Sequence, residues 1–356
     1  MIAVSDAWKE NQLKAIVSEG FVEITFDGTD MVFTKTDIVS YSHEQSGCLL
    51  SGELPNNKIS FSLDNSTGRY NPNTTIFEEN QKLTVKYGFD IDGTIEWIKA
   101  GTFYLTEWNT PTNGLEATFS ARDLLGFMLD KKYSSNRTGT LKQLCERAVT
   151  EALLPSGASV HIDNSLAGHT TTLPDRDIAL AEVLQLCANA ACCVMHEDRD
   201  GVLRIEPLSN ALSGYSIQKG WAYSYPEYDL QKQLKSVQVT YANEEKRELA
   251  IANSGETQTL QNELITTQSD AYILAHWVGA LLKNRQKISG EFRADPRLEV
   301  FDKVGIESKY GTNEAVIITT IKYNYTGSFK GSYTGRVVAF DPIPAAYCGE
   351  VYCGEV

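Results

Sequence analysis

The sequence predicts a mainly β protein in which two barrel- or sandwich-like domains flank a small α/β insert made of helices and a hairpin. Three observations predict it. From Phe21 to about residue 128, apolar and polar residues alternate with period two, and turn signals recur every 8 to 15 residues or so. Between about residues 141 and 191 the apolar spacing changes to the helical i, i+3, i+4, i+7 pattern. Alternation then returns and runs to a long closing hairpin, broken by one helical stretch.

Residues 1–20 read as an N-terminal helix. Ser5 supplies the cap, Trp8, Leu13, Ile16 and Val17 form an apolar face for its own subunit or a neighbour, and Gly20 ends it. Residues 21–128 read as the first β-domain, with strands FVEITF, TDIVSYSHEQ, KISFSL, KLTVKYGF and EWIKAGTFYLTEW separated by turns such as DGTD and DIDGT. In the strand Lys58 to Leu63, Ile59, Phe61 and Leu63 share one face, while Lys58, Ser60 and Ser62 share the other. The turn after it carries Asn65, Gly68, Asn71 and Pro72, residues that accept left-handed or fixed backbone angles and end pairing.

Residues 129–213 read as the insert. Leu141, Leu144, Cys145, Ala148 and Ala152 fall on one helical face, and a second helix from about Asp177 aligns Leu180, Val183, Leu184, Cys187, Ala188 and Ala191. The strands CCVMHE and VLRIEPL, joined by the turn DRDG, complete it. Residues 214–345 read as the second β-domain, containing a helix over 269–287 and ending in the hairpin AVIITTIKYNYTGSFKGSYTGRVVAF. The stretch 346–356 holds a perfect five-residue repeat, YCGEV twice, which is too short for a repeat fold and reads as an extended arm that could add a strand to a partner's sheet edge.

A formal charge of −14 opposes direct affinity for phosphate backbones, so no specific nucleic-acid binding is expected. The start of the chain has no basic, apolar leader and no segment reaches the ~18 apolar residues of a membrane span, so synthesis and folding in a cytoplasm are expected. Seven cysteines without paired spacing fit reduced thiols.

The search for chemistry finds no catalytic, metal-binding or cofactor-binding set. Cys192, Cys193 and His196 resemble a ligand cluster, but adjacent cysteines on a strand point to opposite faces, and free cysteine is usually buried. Asp198 and Asp200 lack the later ligands of a calcium loop and read as a hairpin turn. His43, His161, His169, His196 and His276 lie in no motif context, and no phosphate loop, HExxH helix or GxSxG elbow is present. Trp221, Tyr223 and Tyr225 alternate as on one strand face, with Tyr228 close by, and read as core or subunit contact rather than a sugar shelf.

Five stretches together resemble a known family: LPNNKISFSLDNSTGRYNP from Leu54, ARDLLGFML from Ala121, LPDRDIALAEVLQLCANAACCVMHEDRDGVLRI from Leu173, GEFRADPRLEVFDKVGIES from Gly290, and IITTIKYNYTGSFKGSYTGR ending at Arg336. In this order, over about residues 20 to 340, they resemble tail hub proteins, the trimeric baseplate or tail-tip components of long-tailed and contractile phages and prophages.

The resemblance implies two β-barrel-like hub domains, so that a homotrimer sets six similar barrels around one axis. It implies a structural virion protein, not an enzyme, with no cofactor and no catalytic or metal residues. Such a hub joins the tail tube to the baseplate or tail tip and gives a channel for DNA or effector passage, lined by acidic residues. The implied partners are the tail tube or distal tail protein ring, the tape measure protein and a downstream spike or fibre protein; the implied location is the virion tail tip, after synthesis in a bacterial host cytoplasm. Expected subunit contacts are Lys58, Ser60 and Ser62 in one strand and Tyr323, Tyr325 and Arg336 in the hairpin Ile317 to Val338. The arm, with Tyr347, Cys348, Tyr352 and Cys353, is expected to engage a distal partner, although it is not part of the hub pattern. The alternatives are a receptor- or carbohydrate-binding tail protein and a tail-associated cell-wall hydrolase.

Overall fold

The computed structural model describes residues 2–13, 20–29, 31–49, 54–71, 77–110, 114–209, 211–242, 245–311 and 313–337. The chain begins with helix α1 (Asp6–Leu13), whose cap is the expected one: Ser5 Oγ accepts the Trp8 amide at 3.0 Å. Trp8 is fully buried and meets Phe89 edge-on at 4.9 Å, so α1 docks onto its own protomer; the rest of the expected helix, 14–19, lies outside the described residues.

The first β-rich stretch forms β1 (Gly20–Phe26), β2 (Val32–Phe33), β3 (Ile38–Ser46), β4 (Asn56–Asp64), β5 (Lys82–Ile91), β6 (Thr94–Asn109) and β7 (Glu116–Arg122). Its alternation buries Ile59, Phe61 and Leu63 as predicted, and Phe61 stacks on Phe119 at 4.9 Å within a group of rings that includes Phe26, Phe77 and Tyr70.

The insert then supplies α2 (Gly126–Leu129), β8 (Thr138–Thr140), α3 (Leu141–Ala152), β9 (Ser159–Ile162), β10 (Thr170–Thr172), α4 (Leu180–Ala190), β11 (Cys193–Glu197) and β12 (Val202–Pro207). A capping box starts α3, with the Thr140 hydroxyl accepting the Gln143 amide and the Gln143 side chain accepting the Thr140 amide. The apolar faces of α3 and α4 pack with Leu203 and Ile205 into a core of the insert's own.

The remaining elements are β13 (Leu212–Ile217), β14 (Glu227–Leu230), β15 (Leu234–Tyr241), β16 (Glu245–Ala250), β17 (Glu256–Gln261), α5 (Gln268–Leu282), β18 (Gln286–Arg293), β19 (Lys303–Glu307), β20 (Asn313–Tyr325) and β21 (Phe329–Val337). Helix α5 is shorter than its sequence pattern predicts. The Gln231 amide donates to the Arg285 carbonyl at 2.8 Å and Arg285 Nε donates back to Gln231 O at 2.7 Å, and this long-range pairing draws residues 286 and 287 into a strand.

The sheet order is β14-β18-β21-β20-β3-β4-β7-β6-β5-β1-β2, with β19 also on β20 and β13 on β19. Both β-rich stretches therefore belong to one sheet. They join where β20 pairs with β3, from Thr320 opposite Ser46 to Tyr325 opposite Tyr41. The mainly β fold is as expected, and among the described residues the strand path closes into no barrel, with β20 occupying the outer edge of β3. A separate three-stranded sheet, β16-β15-β17, packs under α5.

The seams that hold the insert to the rest of the molecule include the following three. In the first, Arg199, at the β11–β12 turn, enters the main core at 5% exposure, with its guanidinium 5.6 Å from the Tyr87 ring and 5.8 Å from that of Tyr323. It donates to Leu298 O at 2.6 Å and lies 3.7 Å from Glu299 Oε1. In the second, Glu197 Oε2 accepts the Leu124 amide at 2.7 Å beside buried Asp123, while Gln45 donates to Glu197 O at 3.1 Å. In the third, His169 Nδ1 is 3.3 Å from Asp270 Oδ2 in the first turn of α5, and its Nε2 is 3.0 Å from Leu264 O.

Replacing Arg199 with Met removes the cation and strands the Glu299 carboxylate, so unfolding in urea should show a loss of roughly 3–5 kcal/mol. Burial pushes Asp123 up to about 7, and burial followed by Asp123 itself raises Glu197. The folded state therefore binds protons more tightly there, and that stability is present below the ordinary carboxyl range and lost as pH rises through about 7. His169, raised by Asp270, acts in the same direction. Burial instead lowers His43 to about 3 and His196 to about 4, so their contribution is present above the ordinary imidazole value and lost as pH falls. Melting curves should show Glu197→Gln shrinking the loss between about pH 4 and 7, and His196→Leu flattening the acid limb between pH 6.5 and 4, by on the order of 1 kcal/mol per pH unit for each group.

Candidate functional site: the polar face of the continuous sheet

Residues directly opposite one another in neighbouring strands point to the same side of a sheet. Across β18, β21, β20, β3, β4 and β7, one such row is Phe292, Gly331, Tyr323, His43, Ile59 and Ala121, all buried. The neighbouring row on the other side is Glu291, Ser332, Lys322, Glu44, Lys58 and Arg122. Beyond it run Lys330, Asn324, Ser42, Ser60 and Ser120 in one direction, and Ser289, Thr334, Thr320, Ser46 and Asn56 in the other. Six strands drawn from both β-rich stretches thus present one polar face of short hydroxyl side chains interspersed with charge.

A groove of about 630 Å³ runs over this face between Lys58, Ser60, Glu44, Lys322 and Arg122. Lys58 lies 3.9 Å from Glu44, an exposed pair contributing about 0–1 kcal/mol. Lys58, Arg122, Lys287, Arg293, Lys322, Lys330 and Arg336 share this face with Glu44, Asp64, Glu116, Glu227, Asp229 and Glu291, and Glu79, Glu107 and Asp130 also line the groove, so charges of both signs are mixed here.

Lys58, Ser60, Ser62 and Arg336, chosen from the sequence, all fall on this face. Lys58 and Ser60 are exposed, Arg336 is half-buried, and Ser62 is buried with its hydroxyl 2.8 Å from that of Ser40. Tyr323 and Tyr325 require a correction: they lie on the core side, fully or almost fully buried. The Tyr323 hydroxyl donates to Asp295 O at 2.9 Å and Leu298 O at 3.0 Å, and the hairpin is pressed inward because Phe329 packs on Tyr87 at 5.2 Å. A ring without accessible surface cannot touch a neighbouring subunit. Tyr347, Cys348, Tyr352 and Cys353 lie outside the described residues.

Trp221, Tyr223 and Tyr225 do not lie on one regular strand, since the chain there forms a 3-10 turn (Lys219–Trp221) and bends, touching β18 through Ala222 opposite Phe292 and the Tyr223 amide on Glu291 O at 3.0 Å. Tyr223 and Tyr225 are 55% and 53% exposed, and Tyr228, Leu230 and Tyr310 are exposed as well. Cys193 is buried and His196 half-buried against Phe301 at 5.4 Å, and among the described residues no group of three His, Cys, Asp or Glu could hold a metal ion. Asp198 Oδ1 accepts the amides of Asp200 and Val202 at 2.9 and 3.0 Å, the expected hairpin turn, with Gly201 at φ +78°.

Sequence reasoning missed Arg199. An arginine between two aspartates in a turn reads as solvated, and nothing local signals the aromatic slot that receives it. His43 was equally silent: its Nδ1 is 2.6 Å from Tyr87 OH and its Nε2 2.7 Å from Asn57 Oδ1, both inside the core.

The fold is that of phage tail proteins, as the resemblance led us to expect. It is similar to the 43 kDa tail protein of prophage MuSo2 from Shewanella oneidensis, with a TM-score of 0.63 and 15% identity over 88% of this chain and 98% of that one. It is similar to a tail protein from Neisseria meningitidis MC58, with a TM-score of 0.60 and 13% identity over 89% of this chain and 96% of that one. A third similar structure, with a TM-score of 0.51 and 10% identity over 90% of this chain and 79% of that one, is an E. coli type VI secretion component that is itself structurally similar to the T4 bacteriophage tail proteins gp27 and gp5. No protein-family model and no curated protein matches the sequence.

Tyr323→Phe tests the core placement. Loss of a hydroxyl with two buried acceptors should cost about 1–2 kcal/mol in denaturant unfolding and leave the solution mass of the native protein unchanged.

Proposed function

We propose that this protein is a structural component of a phage-type tail, a trimeric hub that joins the tail tube to the baseplate or tail tip and surrounds a channel for DNA or effector passage. The observation that carries this reading is the similarity of fold over nearly the full length of both chains to prophage tail proteins, not over one shared module. The polar sheet face adds physical support. In a closed ring a face of this size can stand toward a solvent-filled bore at its centre, where short hydroxyl side chains offer no apolar grip, and meet neighbouring copies at its margins, with Lys58 and Ser60 near one and Arg336 near the other.

In this reading residues 21–128 and 214–345 are the two hub units, and 129–213 is an outlying insert with its own core. The arm, residues 346–356, engages a distal partner. The tail tube or distal tail protein ring, the tape measure protein and a spike or fibre are the further partners, and the hub works without catalysis or a cofactor at the tail tip.

Light scattering of the purified chain should give three times its mass of 39.4 kDa, and electron microscopy a ring. A concentration-independent monomer that binds glycans through Tyr223, Tyr225 and Tyr228 would replace this reading with that of a receptor-binding tail protein. Turnover of peptidoglycan or peptide, abolished by a single acidic or cysteine substitution, would replace it with that of a hydrolase.

A further inference from the structure

Two cations at one margin of the polar face form no ion pair among the described residues. Lys287 and Arg336 stand directly opposite each other in the β18–β21 register, an arrangement that destabilises a sheet unless an anion lies between them. Neither has a hydrogen-bond or ion-pair partner among the described residues, and Asp229, next in the row beyond Lys287, takes its hydrogen bond from Gln231. Arg336 is half-buried in a groove of about 270 Å³ that it lines with Ser46, Leu49, Leu54, Thr319 and Thr320. Burial lowers its pKa with no carboxylate opposing the effect, as expected of a partly desolvated cation without a counter-charge.

The turn between β5 and β6 carries the complementary chemistry. The Asp90 carboxylate accepts the Gly93 amide at 2.7 Å and fixes the turn, Asp92 is exposed at φ +52° without a partner among the described residues, and Ile95 beside them is 38% exposed. This turn cannot reach the groove of its own protomer. It projects past Phe89, which packs on Phe329 at 5.7 Å, whereas Arg336 lies seven residues further along β21, roughly 23 Å of extended strand.

We infer that Lys287, Arg336 and the groove that Arg336 lines receive the acidic β5–β6 turn of a second copy of this chain, Asp92 meeting the two cations and Ile95 the half-buried Leu54. The two surfaces differ, so the contact is head-to-tail and every copy both gives a turn and receives one, the arrangement that generates a ring when the rotation closes. The inference rests on the homo-oligomer of the proposed function and names its contact.

Light scattering over a dilution series, with melting curves to confirm folding, tests it. Arg336→Asp and Asp92→Arg should each raise the dissociation constant at least about tenfold, and the two together in one chain should bring it back to within about threefold of the unmodified protein. Arg336→Met removes the charge without adding an acid and should weaken assembly in the same direction if Arg336→Asp proves unstable. An oligomer indifferent to Arg336→Asp and Arg336→Met, or a double variant no better than its parents, would overturn this contact and leave the hub reading standing. An unmodified protein that stays monomeric at every concentration would overturn both.

Discussion

A single buried guanidinium organises this molecule. Arg199 sits between the rings of Tyr87, from the first β-rich stretch, and Tyr323, from the last, while its own backbone belongs to the insert. Removing an arginine from water is expensive unless its donors find acceptors and its plane finds π faces. Here Leu298 O accepts one hydrogen bond, the Glu299 carboxylate stands 3.7 Å from Nε and two rings face the cation, while Nε and Nη1 have no hydrogen-bond partner among the described residues, so the three parts of the chain must be assembled together before the charge is stabilised. The same charge, after burial, keeps His43 neutral and fixes it as a hydrogen-bonding core residue between Tyr87 and Asn57. Such an ion is better understood as enforcing one arrangement of the parts than as a large net source of stability.

The pairing of β20 with β3 has the wider geometric consequence. A short chain of six opposed residues turns two β-rich stretches into one sheet and occupies the outer edge of β3. One side of the merged sheet is then covered by aromatic rings and the insert's arginine. The other carries hydroxyls, amides and charges over six strands, most of them exposed or half-buried. Continuity of the backbone ladder across the junction also makes this face rigid, a property suited to a surface that must hold a fixed curvature in an assembly.

The seams between insert and sheets differ in kind and so respond differently to solution conditions. The Asp123–Glu197 contact places two carboxyls where only one can readily ionise, and the His169–Asp270 contact favours the protonated imidazole. The buried imidazoles of His43 and His196 resist protonation. These opposing preferences set a stability maximum near the pH at which the carboxyl seam is still partly protonated and the core histidines are neutral.

By itself the sequence determined the local elements and which side of each was apolar. The alternation of Ile59, Phe61 and Leu63 and the helical spacing of Leu141, Leu144, Cys145 and Ala148 were legible because period and turn chemistry act over a few residues. The order of five quoted stretches was enough to point to the tail-protein fold, and the common face of Lys58, Ser60 and Ser62 was legible because strand parity is a local property. Only the tertiary structure decided what lay across each strand. The edge that β20 takes from β3, the burial of Tyr323 and Tyr325 instead of their exposure at an interface, the early end of α5 at Leu282 and the aromatic slot for Arg199 all depend on residues tens to hundreds of positions apart. A period of two says that a side chain points to one side or the other; which side meets core, water or another strand is fixed by long-range contacts that no local pattern encodes.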